Sequence, residues 1–243
     1  MSDMPQPGMS EARVVPVDRL ELAFETYFWP FADERRAHID AHWDQLHRER
    51  PSMWNGHVLM MHRWAVEGRV FSGAHFACDF ASMLAWRDWE FPDDNVKNGF
   101  ASNAIRCPDG AFLVGVQGAH TANAGLAYFP AGMVDMSDVK GASVDLEANA
   151  WREIAEETGL GRADLMAEPG WTTVLLGPRI AHIKVLLARE SAESLRERIL
   201  AFMAREKEPE LADIMIVRRP ADCSDAVVPF VHAFLNATWS SAV

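Results

Sequence analysis

The chain has 243 residues and carries 23 Lys and Arg against 35 Asp and Glu, a formal net charge of −12. That excess of acid argues against non-specific nucleic-acid binding, which needs clustered Lys and Arg, but leaves room for a small anionic substrate where a bound cation reverses the local sign. Three cysteines (Cys78, Cys107 and Cys223) show no metal-type spacing, no apolar run approaches the roughly 20 residues of a membrane helix, and no signal-peptide pattern opens the chain, so the expectation is a reduced, cytoplasmic protein away from the membrane.

Residues 1–14, rich in Met, Pro and polar side chains, read as a mobile tail. RLELAFETYFW alternates as a strand, with Leu20, Leu22 and Phe24 on one side. ADERRAHIDAHWDQLHRERP then reads as one helix with Ile39, Trp43 and Leu46 as its buried stripe. His38 and His42 stand four apart there, but without a third ligand they make a poor metal site. NGHVLMMHRWAVEGRVFSGAHFACD gives two strands joined through Glu67-Gly68. Asp79 is placed to cap the short helix DFASMLAWRDW, where Arg87 and Asp88 pair with each other. Trp54, Trp64, Trp86 and Trp89 are expected in a core or an interface, or one of them stacks a substrate base. FPDDNVK is turn-like and marks a boundary, giving a lobe over residues 15–98 and a core over 99–243.

NAIRCPDGAFLVGVQGAH reads as strand, Asp109-Gly110 turn, strand. HTANAG is a small-residue loop, in which His120 and Asn123 are expected to shape the turn, and LAYFPAG follows as a strand. TTVLLGP and IAHIKVLLARE are two strands separated by Gly177-Pro178. ESLRERILAFMAREKE is an amphipathic helix with Leu195, Ile199 and Phe202 as its stripe. IMIVRR is a last strand and AVVPFVHAFLNATW a C-terminal helix. Strand pairs interleaved with helices imply an α/β architecture with a mixed sheet covered by helices.

One stretch does not fit ordinary helix chemistry. In WREIAEETGL, Glu153, Glu156 and Glu157 fall at i, i+3 and i+4, so three carboxylates share a helix face. They repel one another and lie toward the C-terminal end, against the helix dipole, before Gly159 stops the helix. Arg152 neutralises part of that charge, and a solvated acidic face is the plain reading. A hard divalent cation is the functional one.

The preceding PAGMVD, taken with this stretch, resembles the signature of the Nudix hydrolase family: Gly, five residues, Glu, seven residues, then Arg-Glu-apolar-any-Glu-Glu-any-Gly-apolar. Arg152, Glu153, Ile154, Glu156, Glu157, Gly159 and Leu160 match the second half. The first half departs from it. Five residues after Gly132 stands Asp138 instead of Glu, and thirteen residues (VKGASVDLEANAW) separate it from Arg152, a six-residue insertion read as a loop.

The resemblance implies a Nudix-type α/β/α sandwich with a mixed sheet, plus an N-terminal α+β extension. It implies a pyrophosphohydrolase using Mg²⁺ or Mn²⁺ on a small-molecule nucleoside diphosphate derivative. The added lobe and longer loop are similar to the branch acting on nucleotide sugars, including UDP-sugar diphosphatases, with coenzyme A or dinucleotides as the other enzymatic choice. By position, Glu156 and Glu157 would hold metal, Glu153 would be a ligand or general base, and Arg152 would hold a glutamate in place. The backbone carbonyl of Ala131 would be a further oxygen ligand. Asp138 and Glu210 are candidate additional acids, Glu147 being too close to Arg152 for the family spacing. Two other classes stay open: a nucleotide-binding sensor without hydrolysis, and an interaction protein docking through its Trp- and Met-rich lobe. A homodimer is the commonest assembly for such a chain.

Overall fold

A computed structural model describes residues 12–51 and 53–240. Chain order is β1 (Arg13–Val17), β2 (Arg19–Phe24), α1 (Pro30–Glu34), α2 (Arg36–Glu49), β3 (His57–Glu67), β4 (Val70–Asp79) and α3 (Phe80–Asp88). Then come β5 (Asn98–Arg106), β6 (Phe112–Gln117), β7 (Ala127–Tyr128), β8 (Val139–Lys140), β9 (Ser143–Val144) and α4 (Leu146–Thr158). The chain ends with β10 (Leu165–Ala167), β11 (Trp171–Leu176), β12 (Arg179–Ala188), α5 (Ala192–Met203), β13 (Leu211–Val217) and α6 (Pro229–Ser240).

The larger sheet runs β1-β11-β12-β5-β6-β13, with β10 also on β12 and β7 also on β6. Its β12–β5 pair is parallel and its other pairs antiparallel. Alternation along β6 splits its side chains between two cores. Phe112 and Val114 meet Phe230, Val231 and Phe234 of α6, whereas Leu113 meets Ile154 of α4 and Leu195 and Ile199 of α5. Helices therefore cover both faces, and the architecture is an α/β/α sandwich around a mixed sheet.

The smaller sheet runs β3-β4-β2-β9-β8. Val58, Met60, Phe76 and Cys78 point from it toward α1–α3, and the alternate residues Leu59, Met61 and Phe71 pack with Ala101 and Ile180 of the larger sheet. Two uncharged histidines lie in that seam. His75 is held about 4 and His182 about 3, in both cases chiefly by burial. His182 sits edge-on to Phe71 with ring centroids 4.4 Å apart.

Several expectations are corrected. The part of the expected tail over residues 1–11 lies outside the described residues, but from Arg13 the chain is strand β1, paired antiparallel with β11 at the edge of the larger sheet. The lobe thus begins with a strand that belongs to the core. The strand expected to reach Trp29 stops at Phe24, and the single expected helix is two, parted at Arg35 (φ −109°, ψ 12°). Pro30 explains the early start, because its fixed φ and missing N–H suit the first helical turn. Trp86 is buried in the lobe core as expected, but Trp54 is 81% exposed. The insertion after Asp138 is no loop: it forms the β8–β9 hairpin, and Ser143 pairs with Ala23 of β2. Conversely, the strand expected over LAYFPAG is only the two residues of β7.

Candidate active site

Helix α4 is built to place its acids. Asp145 caps it by accepting from the Ala148 N–H (2.9 Å), a contact of about 1 kcal/mol, and Gly159 ends it at φ 68°. Phe202 of α5 packs so close to Gly159 that an added Cβ would stand 2.4 Å from its ring. Ile154 and Trp151 anchor the inner face in the core shared with α5. The remaining turns present Arg152, Glu153, Glu156 and Glu157 around the rim of that face.

Their environments differ. Glu153 and Glu157 are buried, at 6% and 5% exposed, whereas the Glu156 side chain is 61% exposed. Glu157 Oε1 accepts from the Ala131 N–H at 2.9 Å, and its Oε2, also buried, has no hydrogen-bond partner. Glu153 lies against Gly132: a Cβ there would stand 2.0 Å from its Cδ and 2.1–2.2 Å from both carboxylate oxygens. Only a residue without a side chain lets the backbone approach this carboxylate so closely.

Arg152 is the hub of charge. Its Nη1 donates to Glu153 Oε1 (2.6 Å) and lies 3.6 Å from Glu156 Oε2, and its Nη2 donates to Asp138 Oδ1 (3.2 Å) and Oδ2 (3.3 Å). Asp138, 3% exposed, also accepts from Asn149 Nδ2 (2.9 Å) and the Asp135 N–H (3.1 Å). Its carboxylate is therefore spent in tying the turn before the β8–β9 hairpin to α4. Glu210 stands at the start of β13, where its backbone carbonyl accepts from Gly118 N–H (2.8 Å). Its charge acts on both Glu153 and Glu157. Glu147 is turned away, 3.9 Å from Arg162.

Arg152 thus faces three carboxylates, and Glu157 and Glu210 add their charge to the same cluster. Burial, opposed by Arg152 and aided by Glu156, Glu210 and Asp138, pushes Glu153 up to about 7. Burial together with Glu210 and Glu153 raises Glu157 well above the carboxylate range. Glu210 is raised as well, chiefly by desolvation. Among the described residues no three His, Cys, Asp or Glu side chains converge as a finished metal cage. Glu153 is drawn to Arg152 and Glu157 to Ala131, so their oxygens do not meet at one point.

Ala131, Gly132 and Glu210 form one end of a cavity of about 460 Å³, within the range of small-molecule sites. Tyr128, Phe100 and Phe230 give it aromatic walls. Asn123, expected to make a turn, also lines it and donates to Tyr128 Oη (3.0 Å). Gln117, 2% exposed, lines it too, and neither end of its carboxamide has a partner. Sequence reasoning missed Gln117, Tyr128, Asn149 and Arg179. Asn149 carried a signal, since it stands one turn before Arg152 on the same helix face. The others reach the cavity only through sheet pairing.

No helix among the described residues is long and apolar enough to cross a membrane. No family profile and no curated protein matches the chain. Among solved structures, a Nudix hydrolase from M. smegmatis, RenU, is 16% identical, covering 59% of this chain and 83% of its own, with a TM-score of 0.38. The E. coli ORF135 protein is 15% identical, covering 58% of this chain and 92% of its own, with a TM-score of 0.33.

Proposed function

We propose that the chain is a Nudix-type pyrophosphohydrolase, dependent on Mg²⁺ or Mn²⁺, that cleaves the diphosphate joining a nucleoside to another group, with a nucleotide sugar the first candidate. The carrying observation is the pair of buried carboxylates, Glu153 and Glu157, set against the Ala131–Gly132 backbone at the end of a ligand-sized cavity. Burying two acids with too little positive charge is costly, and here the arrangement leaves one oxygen, Glu157 Oε2, without any partner. A structural acidic face would turn them to solvent, as Glu156 is turned.

The donor set suits a hard cation: carboxylate oxygens, an orphaned acceptor and a glycine that keeps the cradle open. Glu157 would hold the ion with Glu156 swinging in from solvent, the Ala131 carbonyl and Glu210 would be further oxygen donors, and Glu153 would stand beside them as the general base. When bound, the cation neutralises non-bridging phosphate oxygens and lowers the pKa of a coordinated water. The protein's own groups do the rest. Arg152 fixes Glu153 through a charge-assisted bond, and Asp138 with Asn149 fixes Arg152. Water oxygen bonds to one phosphorus, the anhydride P–O bond breaks on the far side, and the water proton passes to Glu153. The aromatic walls exclude bulk water from the substrate's organic end.

The test is phosphate release from nucleotide sugars, dinucleotides and coenzyme A with Mg²⁺ or Mn²⁺ and a coupled phosphatase. Glu157→Gln keeps the acceptor for Ala131 N–H and removes the charge, so turnover should drop by orders of magnitude in a folded protein. Wild-type rates in that variant would refute the assignment. Nucleotide binding by calorimetry without turnover on any substrate would replace it with the sensor reading.

A further inference from the structure

The cavity has a second charged end. Arg179 opens β12 and Arg87 lies in the last turn of α3, and both line the wall beside Asn98. Arg179 is the register partner of Asn98 on β5. Asn103, five residues further along β5, contacts the Pro130 carbonyl next to Ala131 and Gly132. Five residues of β5 separate Asn98 from Asn103, roughly 17 Å of strand, so the arginine end and the acidic end are different parts of the cavity.

Arg179 is the unusual group there. It is half-buried, yet among the described residues its guanidinium has no carboxylate partner and donates no hydrogen bond. Its guanidinium lies over the Phe91 ring, whose centroid is 5.3 Å from the guanidinium carbon. Burial, reinforced by the charge of Arg87, lowers its pKa, although a guanidinium stays protonated at any working pH. Arg87 is less free, since it donates to Asp88 at 2.9 Å. Asp225 lines the cavity too, and among the described ion pairs none joins it to either arginine. In a chain of net charge −12, where ion pairs engage most other arginines among the described residues, a guanidinium that faces a cavity without a carboxylate partner needs a ligand to explain it.

We propose that the Arg179–Arg87 end of the cavity is an anion subsite, which takes a phosphate or carboxylate carried by the substrate at a point remote from the scissile diphosphate. The inference rests on the pyrophosphohydrolase reading and narrows it. The substrate becomes a nucleoside diphosphate derivative with an additional anionic group, either an acidic sugar or a phosphate on a ribose hydroxyl. Neutral nucleotide sugars then lack the group this end is built for. Phe91 stacks on Arg179 and holds the planar fork in place, which suits it to a two-oxygen anion.

Two matched pairs of probes test this: UDP-glucose with UDP-glucuronate, and dephospho-coenzyme A with coenzyme A. Each is measured with wild type, Arg179→Gln and Arg179→Lys, by coupled phosphate release and by calorimetry. In wild type the anionic member of one pair should bind about 10- to 100-fold more tightly than its neutral counterpart, the range expected of one charge-assisted contact. Arg179→Gln should erase that preference through KM while kcat and the neutral member's KM stay put, and Arg179→Lys should restore part of it. The pair that shows the effect identifies the source of the anion. No preference in wild type, or a preference that survives Arg179→Gln, overturns the subsite. Turnover without anion preference sinks the subsite and leaves the hydrolase standing. Arg179-dependent anion binding without turnover does the reverse.

Discussion

Gly132→Ala tests the geometry on which the catalytic reading depends. An alanine Cβ at this position would stand 2.0 Å from Glu153 Cδ, where ordinary carbon contacts are about 3.5–4.0 Å. The Glu153 carboxylate must therefore retreat by about 1.5 Å. The backbone itself tolerates alanine, since Gly132 is not among the residues with positive φ, and a glutamate terminus is flexible. So the chain should fold. The cost falls on the site: the 2.6 Å bond to Arg152 breaks, or Arg152 follows and loosens from Asp138. Misplacing a reacting group by about 1 Å costs on the order of 10² in rate, and kcat/KM should fall by at least that much. A double-mutant cycle with Glu153→Ala separates this from general damage. Denaturant melts should show Gly132→Ala destabilising the wild type and nearly neutral once Glu153 is truncated. A folded Gly132→Ala enzyme with wild-type kcat/KM, or equal destabilisation in both backgrounds, would refute the close packing of Glu153 on Gly132 as the organising feature of the site.

Saturating Mg²⁺ should stabilise the wild type, by about 2.7 kcal/mol at a hundred times its Kd, and should release protons from the raised Glu153 and Glu157. Scanning calorimetry and a weakly buffered titration read both effects, and Glu157→Gln should show little of either. Asp138→Ala removes the buried partner of Arg152 and Asn149, so urea unfolding should report a loss of roughly 3 kcal/mol, with a milder variant in Asp138→Asn. His75 and His182 are neutral when folded, at about 4 and about 3, against an ordinary 6.5. At these two sites the unfolded chain binds more protons below pH 6.5, so their share of stability should be constant above that value and fall as pH drops from 6.5 toward 4, while the raised Glu153 and Glu157 act in the opposite sense. His182→Gln should flatten the slope in pH-dependent denaturant curves. An unchanged slope would mean that the seam histidines do not control it.

Helix α4 was legible because its information is local. Periodicity puts Glu153, Glu156 and Glu157 on one face, Gly159 marks the stop, and acids against the dipole flag an unusual requirement. The sequence could not show that these three acids would meet different fates, because burial is decided by partners far along the chain. Glu157 is buried by Ala131 and Glu153 by Gly132, while Glu156 has only solvent beyond Arg152. Strand β1 was hidden for a related reason. RVVPV has the composition of a strand, but only pairing with β11, some 160 residues away by the register Arg13↔Leu175, takes it out of the tail and into the core sheet. Its Pro16 is tolerated because β1 is an edge. The insertion was visible as added length but not as a hairpin, since β8 and β9 are two residues each and depend on Ala23 of β2.

That hairpin also bears on the departures from the signature. Asp138 is one methylene shorter than the expected glutamate, and six extra residues follow it, yet its carboxylate reaches Arg152 and Asn149. The Asp135–Asp138 capping box closes the turn that leads into β8, and the β8–β9 hairpin, paired with β2 through Ser143 and Ala23, fixes where that turn stands. A lobe strand thereby helps to set the position of Arg152, and Arg152 sets Glu153. The added lobe also supplies Arg87 to the cavity wall, so under the proposed function it would help to build the site. Loosening the hairpin's hold on β2 should lower kcat more than it lowers global stability, whereas an independent lobe would leave kcat untouched.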